Sequence, residues 1–325
     1  MGFCIACFLR DMAGALKLHN APVVQYMRPE IMGLVLGAFI IAFVKREFKP
    51  RGGSAVFTRF TLGFFVMIGA LMFLGCPLRM FLRLGAGDMN AVFGLIGFVV
   101  GIGIGVFFLN KNFSLSRSYS QSKQEGVFPI IVMIAFLVLL IAFPATLLFS
   151  EKGPGAMHAH ILLSLGIGLG VGIFAQRSRL CTAGGIRDVI MLRDFHLFWG
   201  SIAIVVTVLL GTLVLTALKL TTFNLGLQGQ PVAHTDWLWN ALGMVLVGWA
   251  SVLLGGCPLR QLILTGEGNT DSAITVVGLI AGAAFAHNFS LASSPAGPTP
   301  QGMIAVVVGL GVTAFISVYY MIKNK

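Results

Sequence analysis

The pentapeptide Gly-Cys-Pro-Leu-Arg occurs twice in this chain, at Gly75–Arg79 and at Gly256–Arg260, each time at the end of about twenty apolar residues. A thiol and a guanidinium at the end of a membrane-length apolar run are costly to hold there. Proline has no amide donor and disfavours helix at the residue before it. Each copy therefore predicts a span that breaks at its cysteine, followed by a new helix whose first position is Pro77 or Pro258. Cys76 and Cys257 would then sit at helix N-termini, where free N–H groups and the dipole favour an anion. Arg79 and Arg260 add a fixed positive charge about one turn further on. One copy alone would be explained by a packed cysteine in a helix-ending turn. Recurrence after 181 residues weighs against that explanation for both.

The rest of the chain supports a membrane setting. Apolar residues make up 57% and charged residues 10%, far from a soluble domain, and the mean hydropathy is +0.93. Runs long enough to cross ~30 Å of hydrocarbon lie near residues 31–44, 57–75, 90–109, 128–149, 159–176, 196–218, 237–255, 273–287 and 301–322. That predicts an all-α polytopic membrane protein of about nine spans, with the first and eighth the shortest. The 41 glycines suit close helix contact, with Gly97–Gly105 and Gly166–Gly172 as glycine-spaced stretches inside single spans.

The net charge of +11 invites a nucleic-acid partner, but the basic residues are spread between spans rather than gathered on one patch. If the spans alternate, loops 45–59, 110–127, 177–195 and 256–272 and the tail hold 15 of the 22 lysines and arginines. This bias predicts a cytoplasmic C-terminus. No cleavable signal peptide is evident at the N-terminus. Five cysteines do not form an extracellular disulfide framework, and no Walker A, HExxH or paired CxxC motif occurs. No metal or cofactor is therefore expected, and the leading expectation is not an enzyme.

Further landmarks recur in the same order. Cys4-Ile-Ala-Cys-Phe-Leu-Arg-Asp11 aligns with Cys181-Thr-Ala-Gly-Gly-Ile-Arg-Asp188 at an offset of 177, and Asn112-Phe-Ser-Leu115 aligns with Asn288-Phe-Ser-Leu291 at 176. Duplication predicts two repeats, residues 1–150 and 157–325. Each complete unit has five spans, so the second is inverted relative to the first. That symmetry would set Cys76 opposite Cys257 near a central axis. The span expected before Cys4 is missing from the first unit. The pattern thus predicts that a further apolar helix is encoded upstream.

The duplicated residues form a candidate substrate path: Cys4, Cys76, Cys181, Cys257, Arg10, Arg79, Arg187 and Arg260. Thr182–Gly185 is small and polar for membrane depth and predicts a non-helical stretch lining a cavity, with Arg187 and Asp188 opening the next helix. The Arg–Asp pairs are equally compatible with structural turns. Cys7 aligns with a glycine and is a weaker candidate. His19, His158, His160, His196 and His234 stand at span ends and read as interfacial, whereas His287 is ambiguous. Without an acidic cluster or a carboxylate relay, the substrate should be a small anion. Thiols beside it suit a soft, sulfur-like atom. Two other classes remain open on these residues: a membrane enzyme of thiol–disulfide or persulfide chemistry, and a structural subunit that binds a partner at the membrane.

Arg-Leu-Cys-Thr-Ala-Gly-Gly-Ile-Arg-Asp at 179–188 and the twin Gly-Cys-Pro-Leu-Arg resemble the YeeE/YedE family of bacterial inner-membrane sulfur transporters, with closest likeness to the YedE branch grouped with selenium transporters. The resemblance covers nearly the whole chain. It implies import of a thiosulfate-like or selenium-containing species through a narrow path marked by Cys76, Cys181 and Cys257, with Cys4 as the counterpart of Cys181. It also implies a small TusA-like sulfur-carrier protein as a partner.

Overall fold

The computed structural model describes residues 2–324. Among them are thirteen α-helices, one 3-10 turn and a single antiparallel ladder of two-residue strands, Arg51–Gly52 with Tyr119–Ser120. The protein is all-α. In chain order the helices are α1 (Ile5–Ala15), α2 (Pro29–Val44), α3 (Val56–Phe73), α4 (Pro77–Gly85), α5 (Asn90–Asn110), α6 (Lys123–Ala142), α7 (Ile161–Ser178), α8 (Thr182–Leu192), α9 (Phe198–Ala217), α10 (Trp237–Leu253), α11 (Pro258–Gly266), α12 (Thr270–Asn288) and α13 (Pro300–Lys323). Eight helical stretches are long and apolar enough to cross a membrane, and α2 is a shorter apolar helix of 16 residues. By helix length and composition this is a multi-pass membrane protein.

The expected run at 128–149 is shifted. Helix α6 starts at Lys123 because Ser122 and Glu125 form a reciprocal capping box, each accepting the other's backbone N–H. It stops at Ala142, two residues before Pro144, whose missing N–H ends the ladder.

Both Gly-Cys-Pro segments break their helices. At the first, Leu74 turns left-handed at φ 60°, Cys76 is extended, and Pro77 opens α4. At the second, Gly255 takes φ +80°, a conformation open to glycine without strain, before Cys257 caps α11 and Pro258 opens it. Each proline leaves the carbonyl four residues earlier without its helical partner. At the first break the orphan is Phe73 O, which accepts Arg83 Nη1 at 3.0 Å. At the second it is Leu254 O, which accepts Gln261 Nε2 at 3.3 Å. Met72 O has also lost its helical donor, because the Cys76 N–H turns to a thiol, and it accepts His234 Nε2 at 2.8 Å. His234 is thus a buried backbone cap and not the interfacial residue expected. His19 departs from expectation in the same way: it is buried, contacts Arg10 O through Nε2 at 3.1 Å and stacks on His287.

Glycines bring the helices together backbone to backbone. A methyl group at Gly97 or Gly101 of α5 would strike the Ala241 or Val245 carbonyl of α10, and one at Gly168 or Gly172 of α7 would strike the Glu30 or Leu34 carbonyl of α2. In both pairs the contacts advance in the same direction, so the helices run parallel. Gly69 and Gly243 meet where α3 crosses α10. The units α3–α4 and α10–α11 are the most buried of the long apolar stretches and form the centre, whereas α9, of which Ser201 is the one buried residue, lies outermost.

The loops collect on two faces. On the first, the 45–55 loop pairs with 119–120 and bridges Asn269, Asn324 donates to Ser114 O, and Glu47 reaches Gln176 and Arg177 at the end of α7. These are the loops that alternation assigned to one side. On the other face Gln25 meets Ser150, Asn288 meets Leu18, and Asp88 meets Gly226.

Candidate functional site

The structure brings the path cysteines together two by two. Cys4 caps α1, and its Sγ accepts the Cys7 N–H at 3.4 Å. Cys76 caps α4, and its N–H points at the same sulfur, 3.5 Å away. The two Sγ atoms lie 3.8 Å apart. In the second half Cys181 caps α8 and accepts the Gly184 N–H at 3.2 Å, Cys257 caps α11, and their sulfurs are 3.9 Å apart. All five cysteines are free and buried. Cys76 and Cys257 each pair with the thiol that caps another short helix of the same half of the chain.

Each thiol pair therefore stands where two helix N-termini converge, α1 with α4 and α8 with α11. The first-turn N–H groups, several of them directed at the sulfurs, and the aligned dipoles there place partial positive charge around the thiols. Excluding water strengthens that field. Such a field favours negative charge, and S–H groups are soft, weak donors.

Thr182–Gly185 is helical, contrary to the non-helical stretch expected. The Cys181 cap starts α8 at Thr182, and the glycines serve packing: a Cβ at Gly185 would approach the Phe198 backbone at 3.1 Å. Arg187 and Asp188 consequently lie inside α8 rather than at its start.

The arginines divide into distinct environments. Arg79 is 5% exposed and donates Nη1 to Cys7 Sγ at 3.4 Å. Among the described residues it makes no salt bridge to a carboxylate. Arg260 is half-buried and divided between Glu267 Oε1, 2.8 Å from Nη2, and Gln176 Oε1, 3.4 Å from Nη1. Arg10 is buried but spends Nε and Nη2 on Asp11 Oδ1, at 3.0 and 2.7 Å. Arg28 holds the other oxygen of Asp11 through Nε at 2.8 Å and donates to Pro154 O at 2.9 Å. Arg187 is at the edge, paired with Asp188 at 2.7 Å.

Beyond the second thiol pair, on the face with the strand ladder, lies a cavity of about 240 Å³. It is lined by Arg46, Lys49, Arg51, Arg179 and Arg260 with Gln176, Glu47 and Glu267. Three participants were not singled out from sequence. Cys7 was discounted because its counterpart is glycine. The two positions do share a backbone role, Cys7 N–H on Cys4 and Gly184 N–H on Cys181, but only Cys7 adds a side chain, which receives Arg79. Glu267 and Arg28 carried no motif; the one available signal was a charge bordering an apolar run.

The fold is thus a multi-pass helical membrane protein in which two helix breaks carry buried thiols and arginines into its interior. Residues 177–323 match the family model described as Sulphur transport. A 120-residue stretch is 28% identical to the thiosulfate transporter TsuA of Escherichia coli (strain K12). That match covers 37% of this chain and 32% of the relative, so the chain spans about a third of the length of the curated protein it matches.

Proposed function

We propose that this protein is a transporter or channel of the bacterial inner membrane that imports a small sulfur- or selenium-containing anion, thiosulfate-like in character. The observation that carries the proposal is the paired arrangement of thiols at converging helix N-termini, Cys4 with Cys76 and Cys181 with Cys257, each with an arginine one turn away. The likeness of residues 177–323 to the Sulphur transport family and the partial likeness to a thiosulfate transporter support it.

In this scheme an anion is drawn to the Cys4–Cys76 pair by the α1 and α4 N-termini and by Arg79, which no carboxylate among the described residues pairs. It passes along the thiols, which offer S–H contacts on a dehydrated route, and reaches the Cys181–Cys257 pair. The basic cavity beside Arg260 then receives it. Arg10 and Arg187, held by their neighbouring aspartates, shape the local potential more than they grip the anion. The two breaks act as inverted repeats within residues 1–150 and 157–325, with the cavity and the C-terminus on the cytoplasmic side. A small TusA-like carrier would meet the anion there.

The test is uptake of labelled thiosulfate, selenite and selenate by cells with and without this protein. Uptake of one of these above background supports transport. Uptake of none, with the protein shown to be in the membrane, would refute it.

A further inference from the structure

The two arginines that follow the Cys-Pro breaks have opposite partners, a thiol for Arg79 and a carboxylate for Arg260. Arg79 and Arg260 occupy the same position in their short helices, and seven residues later each helix ends in its C-cap. That cap is Ala86 in α4 and Glu267 in α11. Glu267 Oε1 lies 2.8 Å from Arg260 Nη2, whereas Ala86 offers Arg79 nothing and leaves it to the Cys7 sulfur. The second oxygen of Glu267 is 3.9 Å from Arg51 Nη2 across the basic cavity. Its carboxylate therefore stands between two arginines, close to one and within reach of the other.

From this asymmetry, and resting on the transport reading above, we propose that Glu267 is a positioning residue that makes the second break a release station for a dianion. The first break, with alanine in the same place, is the binding station. A carboxylate on Arg260 competes with the travelling anion for the same guanidinium. An anion arriving at Cys257 must displace Glu267, which Arg51 then holds. Return of Glu267 to Arg260 expels the anion into the cavity. Among the described residues Arg79 has no such competitor, so an anion there meets an uncancelled charge in a dehydrated setting.

The experiment is uptake kinetics of Glu267→Gln, Glu267→Asp and Ala86→Glu in whole cells, using whichever of thiosulfate, selenite or selenate the wild type carries. Binding of the same anion to purified protein in lipid nanodiscs accompanies it. Glu267→Gln keeps the size and polarity but removes the competing charge. It should lower the half-saturating concentration severalfold and lower the maximal rate as well, because release slows. Glu267→Asp retains the charge and should restore the maximal rate towards wild type. Ala86→Glu should raise the half-saturating concentration about tenfold or more by placing a competitor on Arg79.

A Glu267→Gln protein with unchanged kinetics, or with weaker binding at an unchanged maximal rate, would overturn the proposal. If Glu267→Gln does not reach the membrane, Ala86→Glu decides alone, and unchanged binding in that variant overturns it equally. Absence of uptake by the wild type refutes the transport reading instead, so the two failures are distinguishable.

Discussion

The sulfurs of Cys181 and Cys257 lie 3.9 Å apart although 76 residues separate them in the chain. Each thiol is the N-cap of its own short helix, so the contact places two helix N-termini against each other. The same relation holds between Cys4 and Cys76 at 3.8 Å.

Replacing either member of the second pair by alanine should abolish uptake while leaving the protein folded. Cys181→Ala or Cys257→Ala removes one sulfur from a packed site, a loss of about 1 kcal/mol on the scale of small core truncations. Uptake should fall at least tenfold at wild-type membrane abundance. Normal uptake by both variants would reduce these thiols to packing.

Arg260 presents two nitrogens to two different acceptors, Glu267 and Gln176. Lysine keeps the charge but supplies a single ammonium that cannot reproduce the planar fork. Arg260→Lys should therefore retain partial uptake and Arg260→Gln almost none. Equal loss in both would show that the fork geometry, and not the charge alone, is required. Normal transport by both would remove Arg260 from the path and cast the same doubt on Arg79.

The glycine contacts supply their own control. A Cβ at Gly101 would meet the Val245 carbonyl, whereas one at Gly103 meets nothing within 4 Å. Gly101→Ala should destabilise the α5–α10 pair by about 1–3 kcal/mol, the usual range for overpacking. Gly103→Ala should be close to neutral. Thermal unfolding midpoints in detergent separate the two, and equal midpoints would contradict the parallel contact described for these helices.

Asp11 and Asp188 answer to one sequence motif but not to one environment. Asp11 is fully buried and holds both Arg10 and Arg28, so Asp11→Asn strands two buried charges. A cost of about 3–5 kcal/mol follows from breaking a buried ion pair, enough to deplete folded protein. Asp188 is half-buried and faces only Arg187, 30% exposed, so Asp188→Asn should cost under about 1 kcal/mol. Detergent-stable yield of the two variants is the measurement, and comparable yields would count against the central role of Asp11.

The all-α membrane class, the approximate spans and the two breaks were legible in the amino-acid order alone. Those properties are local: apolar run length sets a span, and proline removes an amide wherever it stands. The order therefore marked Cys76 and Cys257 as helix N-caps with their arginines following. Which thiol meets which emerged from packing, because a sulfur–sulfur contact across 72 or 76 residues depends on how the helices dock. Packing also converted Thr182–Gly185 from an expected open stretch into the first turn of a helix, since small polar residues suit a close packing contact as well as a cavity wall. Burial of His19 and His234 was equally out of reach, because their backbone partners, Arg10 O and Met72 O, lie on other elements. Most consequentially, the motif made Arg79 and Arg260 look equivalent. Packing separated them, leaving one beside a thiol and the other under a carboxylate, because their neighbours Cys7 and Glu267 lie outside the repeated pentapeptide.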